Sequence, residues 1–334
     1  MRRSRDRKIT RLLSMLRSAG PAGYVSGQSL AKSAKVSRSA IWKQVRGLRE
    51  YGYRIESSRG LGYRLVSDTQ NPVPWELEKV LKTNVIGKDV VYLHVAESTQ
   101  SVALSIAAKN ESASGIVVIA ERQEGGRGRL KRKWFSPKGG LWFSVLLRPN
   151  IPTSSITLIP FVAALAVREA IAKTTKLDPQ LKWPNDVMIS GKKVAGILVD
   201  IGAEAELVNY AVVGIGVNAN VDASALSGKI SDMQGITSLQ NELGHEVSTL
   251  ELLRHILENL EYNLDLLARE GESQIISAWK RHTDLIGRKV AVLQNGKVVH
   301  EGVAADLGRD GSLILEMESG NKITITSGDL RVRY

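Results

Sequence analysis

Lys182-Trp183-Pro184-Asn185-Asp186-Val187-Met188-Ile189-Ser190-Gly191-Lys192-Lys193-Val194-Ala195-Gly196-Ile197-Leu198-Val199-Asp200 is the run from which the central fold is read. Gln180 to Trp183 reads as a strand. Pro184-Asn185-Asp186 is turn chemistry, because proline presets φ and short polar side chains bond to nearby backbone. Val187 to Ile189, a turn at Ser190-Gly191, and Val194 to Asp200 then make a hairpin. The turn has a plain structural use, reversing the chain. Lys182 stands just before it, where a cation can be held against a carboxylate or phosphate.

Upstream lies Gln123-Glu124-Gly125-Gly126-Arg127-Gly128-Arg129-Leu130-Lys131-Arg132-Lys133-Trp134. Its glycines let backbone N–H groups approach an anion, and its cations add a strong local positive potential. The spacing is that of neither a Walker loop nor a dinucleotide-binding fingerprint. By itself this loop fits a solvated basic tract or an RNA-binding tract equally well. Downstream, Gly214-Ile215-Gly216-Val217-Asn218 ends the apolar strand Val208 to Val213. Glycine within a strand marks close approach of a ligand or of another backbone. Strands such as Asp89 to His94 and Gly115 to Glu121 alternate with helical stretches, giving an α+β or α/β centre.

Charge separates the first fifth of the chain from the rest. Residues 1–66 hold 16 Lys/Arg against 3 Asp/Glu, whereas the remainder is close to neutral. A field of one sign on a small domain suits a polyanion, although a basic arm that merely aids solubility would share it. Helical patterns run from Arg5 to Ala19, with Ile9, Leu12, Leu13 and Leu16 on one stripe, then from Ser26, and then from Ser37 to about Tyr51. The third presents Arg38, Ser39, Lys43 and Arg46 outward, and Arg59 tips a two-stranded wing. This is the helix-turn-helix pattern, and these five residues are the candidates for DNA contact. Trp42 fits DNA contact or helix packing.

The chain has no cysteine, so disulfides and thiolate metal sites are excluded. No signal-peptide core follows the basic start, and Ile156 to Ala166 is too short to span a bilayer. A soluble, cytoplasmic protein with no membrane partner is expected. Asn71-Pro-Val-Pro74 reads as a linker and Pro152 to Lys176 as a helix disturbed near its start by Pro160. Ser248-Thr249-Leu250-Glu251 is a capping box opening a helix with Leu253, Ile256, Leu257, Leu260, Leu264 and Leu267 inward. Val221 to Gly235 reads as a loop. From about Leu285, short strands joined by tight turns, among them Asn295-Gly296 and Asp310-Gly311, make a small barrel.

Taken together and in this order, Glu97-Ser98-Thr99, GRGR with Trp134, KWPND with KVAGILV, and GIGVN resemble biotin–protein ligases of the kind that are also biotin operon repressors. The resemblance covers nearly the whole chain. It implies an α+β protein with three domains: a winged helix-turn-helix at 1–67, a class II synthetase-like mixed α/β ligase domain at 68–283, and an SH3-like barrel at 284–334. It implies that biotin and ATP, with Mg2+, form biotinyl-5'-AMP, and that biotin then passes to a lysine of a biotin carboxyl carrier domain. Ser98, Thr99 and Gln123 would hold the ureido ring. Gly126, Arg127, Gly128 and Arg129 would close over biotin and phosphates. Arg129, Arg132 and Lys182 would serve catalysis, with Lys182 between the biotin carboxylate and the α-phosphate. Trp134, Asn185 and Asn218 would meet the nucleotide beside Arg132. The metal ligands are not assigned.

This chain departs from the family pattern twice: Lys131 stands where a loop glycine is usual, and Gln100 where asparagine usually follows the Ser-Thr pair. The resemblance also implies operator DNA as a partner and a homodimer in the adenylate-bound state. A lipoate–protein ligase, a biotin sensor without transfer activity, and a ligase with an inactive head are the alternatives.

Overall fold

The computed structural model describes residues 2–204, 207–222, 235–294 and 297–332. The chain forms two compact units, Met1–Lys79 and Val80–Tyr334.

In the first unit, α1 (Arg2–Ser18), α2 (Gly27–Ala34) and α3 (Arg38–Glu50) precede an antiparallel wing of β1 (Arg54–Ser58) and β2 (Gly62–Ser67). The side chain of Ser26 caps α2 by accepting the Ser29 N–H, and that of Ser37 caps α3 by accepting the Ala40 N–H. Ile9, Leu12, Leu13 and Leu16, and likewise Leu30, Ile41, Val45 and Leu48, are all buried, as their helical spacing requires.

The segment expected to be a linker is packed instead. Pro74 opens α4 (Pro74–Val80), where its missing N–H costs nothing. Val73, Trp75 and Leu77 are buried. Trp75 Nε1 donates to Tyr53 Oη at 2.6 Å, and the Tyr53 hydroxyl donates to Glu76 at 2.6 Å. Arg17 donates to the same carboxylate at 2.7 Å, and Thr69 Oγ1 and Asn71 Nδ2 both donate to the Tyr51 carbonyl. These anchors carry the first compact unit past residue 67 to Lys79.

The second unit is built on a seven-stranded sheet. Its elements are β3 (Val90–Ala96), α5 (Thr99–Lys109), β4 (Ile116–Gln123), β5 (Leu141–Leu147), α6 (Ile159–Thr175), β6 (Gln180–Lys182), β7 (Asp186–Ile189), β8 (Lys192–Glu204) and β9 (Leu207–Val217). The strand order is β3-β4-β5-β9-β8-β7-β6. Strands β3 and β4 are parallel, joined by the α5 crossover that a parallel pair needs, and the other neighbours are antiparallel.

The expected long helix at 152–176 is divided. Thr153–Leu158 is a 3-10 turn, and α6 starts at Ile159 with Pro160 in its first turn. Proline therefore starts this helix rather than disturbing it. The stretch Thr153–Thr175 is long and apolar enough to cross a membrane by length and composition alone, but most of it is buried in this core. Beyond α7 (Leu239–Leu243), α8 (Thr249–Glu270) packs on α6, followed by α9 (Glu272–Lys280). Ser248 caps α8, whose Leu253, Ile256, Leu257, Leu260 and Leu267 are buried while Leu264 is half-buried.

The C-terminal barrel consists of β10 (Lys289–Gln294), β11 (Lys297–Leu307), β12 (Leu313–Glu316), β13 (Lys322–Ile325) and β14 (Asp329–Val332), in the order β13-β12-β11-β10-β14. Strand β14 was not expected: its residues alternate polar and apolar, but four of them are too few to stand out. Trp183 Nε1 donates to Gly311 O at 2.9 Å and Thr157 Oγ1 to Asp310 O at 2.9 Å, which fixes the barrel to the sheet. The expected Asn295-Gly296 turn and most of the 221–235 loop lie outside the described residues.

Candidate active site

Strand register builds the floor of the site. Trp142 of β5 lies opposite Gly216 of β9, which lies opposite Gly196 of β8 and then Asp186 of β7. One step of two residues along, Ser144, Gly214 and Leu198 form the next row. Because side chains alternate, Gly214 and Gly216 share a face, and Ile215 between them is buried. Above this face opens a cavity of about 650 Å3.

An uncharged hydrogen-bonding set occupies part of the wall. Ser98 is at the N-cap position of α5 but makes no side-chain capping bond, so its hydroxyl is not used by the helix. The Thr99 N–H donates to Gln123 Oε1 at 2.8 Å, and Gln123 Nε2 donates to Ser136 Oγ at 2.8 Å. Thr99 Oγ1 meets Ser144 Oγ at 2.9 Å. All three candidates for the ureido ring are held by α5 and the end of β4.

Cations occupy another part. Arg127, Arg129, Arg132, Lys133 and Lys182 all line the cavity. Arg129 Nη1 donates to Asn185 Oδ1 at 2.9 Å, and Asn185 Nδ2 donates to the Ile197 carbonyl at 2.6 Å. Burial pushes the Arg129 guanidinium down from its ordinary value, as does Arg132, against the opposing fields of Asp329 and Asp186. Arg132 is paired with Asp329 of β14, so the barrel supplies a carboxylate to this wall. Lys193 Nζ is 2.7 Å from Asp186 Oδ1 and 5.1 Å from the centre of the Trp134 ring. The Trp183–Pro184 bond is cis.

This arrangement matches a known set of proteins. The Biotin/lipoate A/B protein ligase family matches residues 92–218, an HTH domain matches 8–64, and the Biotin protein ligase C terminal domain matches 285–331. The bifunctional ligase/repressor BirA of Bacillus spizizenii is 33% identical over 323 residues, 96% of this chain and 97% of that protein. Its counterpart in Bacillus subtilis is 34% identical across 92% of this chain and 94% of its own. The chain belongs to the bifunctional biotin ligase/repressor family. The biotin protein ligase of Aquifex aeolicus, solved with biotin and ATP, superposes with a TM-score of 0.59 at 31% identity. That superposition covers 74% of this chain and 99% of the other.

As a ligase/repressor, the chain brings Ser98, Thr99, Gln123, Arg127, Gly128, Arg129, Arg132, Trp134, Lys182, Asn185 and Asn218 to one cavity. Gly126 is the exception. It sits behind the wall, where its carbonyl accepts the Trp134 N–H at 2.9 Å. Asn218 is 2% exposed, and its Nδ2 donates to the Thr237 carbonyl at 3.0 Å. The side chain of Lys131 lies outside the described residues.

Sequence reasoning missed Gln100 as part of the wall, together with Asp186, Lys193, Asp329 and Arg331. Asp186 and Lys193 were in plain view within KWPND and KVAGILV, but hid behind their turn and hairpin roles. Asp329 and Arg331 had no local signal.

In the head of this ligase/repressor, Arg38, Ser39, Lys43, Arg46 and Arg59 are all exposed. Trp42 is 52% exposed on the same helix, with the Arg46 guanidinium 5.9 Å from its ring, so helix packing is not its role. Arg49 is exposed as well, and its Nε donates to the Ile55 carbonyl at 2.9 Å and ties α3 to the wing.

Proposed function

We infer that this chain condenses biotin with ATP to biotinyl-5'-AMP and transfers biotin to a lysine of a carrier domain. We infer as well that its head is an operator-binding repressor answering to the same ligand. The observation that carries the ligase reading is the joining, in one cavity, of the uncharged set Ser98, Thr99 and Gln123 to the cations Arg127, Arg129, Arg132 and Lys182.

A biotin carboxylate must approach the α-phosphate of ATP, and both are anionic. Fixed cations offset that repulsion and stabilise the charge that builds as the carboxylate oxygen bonds to phosphorus and pyrophosphate leaves. The carrier amine then attacks the acyl carbon, AMP departs, and the amine loses a proton. No protein nucleophile takes part. Lys182 and Arg132 are assigned to the phosphate, and Arg129, pinned by Asn185, to the mixed anhydride. The Trp134 indole is assigned to the adenine. Asn218, with its Nδ2 donating to the Thr237 carbonyl, would contact the nucleotide side.

Magnesium enters with the nucleotide as part of the substrate. Among the described residues no group of three His, Asp or Glu is placed to hold a metal. On the cavity wall Asp186 and Asp329 are paired with Lys193 and Arg132. ATP and operator DNA as ligands support a cytoplasmic location. Loop ordering around the adenylate would favour a homodimer whose two heads span a palindromic operator.

The test is incubation with ATP, magnesium, biotin and a biotin carboxyl carrier domain, reading the carrier by mass. The wild type should add one biotin, and Lys182→Ala should slow transfer on the order of 100-fold, as loss of a preorganised charge does. Tight biotin binding without transfer would instead make the protein a sensor.

A further inference from the structure

We propose that Gln100 is a positioning residue of this site, holding Arg127 through Asp200; the proposal rests on the ligase reading. Gln100 is 3% exposed near the start of α5, and its amide is fully engaged by the protein. Its Oε1 accepts the Ser144 hydroxyl at 2.9 Å. Its Nε2 donates to the Val212 carbonyl at 2.8 Å and to Asp200 Oδ2 at 3.2 Å. Both amide hydrogens are thereby used, so the side chain has no donor to offer a ligand.

Its effect must pass through its partners. Asp200 Oδ2, the oxygen that Gln100 holds, is the one facing Arg127 Nη1 at 3.8 Å. In the other direction Ser144 Oγ meets Thr99 Oγ1, and the Thr99 N–H donates to Gln123. A continuous chain of polar contacts thus runs from Gln123 through Thr99, Ser144, Gln100 and Asp200 to Arg127. It links the uncharged set to the cationic loop.

Chain length decides whether the link exists. A partly exposed carboxylate such as Asp200 would otherwise be free to turn, and the glutamine amide sets which oxygen points to the loop. Asparagine, one methylene shorter, cannot reach Val212 O and Asp200 together from the same backbone. Limited to one acceptor, it would keep the buried carbonyl and release Asp200, which is partly exposed and can be served by water. The neighbouring strand makes room for the longer side chain: a Cβ at position 214 would stand 2.5 Å from Gln100 Oε1, and the residue there is glycine.

The test compares full-length wild type with Gln100→Asn, Asp200→Asn and the double variant. Hydrogen exchange over Gly125 to Trp134 is measured without ligand, and biotin KM and kcat are measured for adenylate formation. Each single variant should speed loop exchange and raise biotin KM about fivefold, the upper worth of a half-exposed ion pair, with kcat held within about twofold. The double variant should be no worse than either single one, since both cut the same link. Wild-type loop exchange in Gln100→Asn, additive effects in the double variant, or a lowered Tm with unmoved KM would each overturn the proposal. Should the wild type itself fail to make adenylate, the ligase reading falls, and loop exchange still decides the link from Gln100 to Arg127.

Discussion

Gly196 and Gly216 clear the space in which the Trp134 indole lies. A Cβ at 216 would stand 2.6 Å from its Nε1, and one at 196 would stand 3.0 Å from the ring. The glycines of GIGVN mark close approach, and both line the cavity, with Gln100 close over Gly214 and Trp134 over Gly216. The sequence could show that something came close, and the packing of α5 and of the loop after β4 shows what. Gly216→Ala would push the indole off the floor. On the proposal that the indole carries the adenine, ATP KM should rise about tenfold while biotin KM moves less than about twofold, with overpacking of about 1–3 kcal/mol lowering Tm. Calorimetric titration with each ligand separately checks this; equal weakening of both would detach Trp134 from the adenine.

At the scale of elements, the packing of α4 on the head depends on one buried carboxylate. Burial alone would raise the Glu76 pKa, but hydrogen bonds from Tyr53, Arg17 and Lys79 outweigh it and hold the group below its ordinary range. Burial, and then the bond to Glu76, push the Tyr53 hydroxyl upward, so it stays a donor at neutral pH. A depressed folded-state pKa contributes stability that is complete above the ordinary glutamate range and is lost as pH falls through the lowered value. The head should therefore lose thermal stability on acidification. Glu76→Gln should flatten that acid limb and lower stability at neutral pH by about 2–3 kcal/mol. Thermal melts of the full chain from neutral to acid pH would show it, and an unchanged acid limb in the variant would shift the cause to other carboxylates. The Pro-Val-Pro string argued for a linker because proline breaks regular structure. What it could not reveal is that Trp75 and Glu76 find partners in Tyr53 and Arg17, far away in the chain.

Across the whole molecule, charge is divided between a strongly basic first fifth and a nearly neutral remainder. Each phosphate contact made by the head releases condensed counterions, so replacing Arg38 and Lys43 by glutamine should reduce the slope of log K against log salt by about 2. Fluorescence anisotropy on operator-length duplex at several salt concentrations measures the slope, and an unaltered slope would remove these two residues from the interface. For the repressor state, sedimentation of the chain with biotin and ATP should show the mass double relative to either ligand alone. A monomer under both conditions would rule out adenylate-driven dimerisation.

Local patterns sufficed where the physics is local. The helix stripes of Ile9 to Leu16 and Leu253 to Leu267, the caps Ser26, Ser37 and Ser248, and the hairpin around Ser190-Gly191 depend on neighbours within a few residues, and they are legible by spacing. The GRGR and KWPND segments are contiguous, so the family and the cationic part of the cavity wall could be named from them. Tertiary structure decided what depends on distant chain. It brought Asp329 of the last strand to Arg132, placed Gln100 over Gly214, engaged Asn218 with Thr237, and moved Gly126 behind the wall. Register and packing between distant segments set those pairings, and a residue's sequence neighbours hold no record of the partner it meets across a sheet.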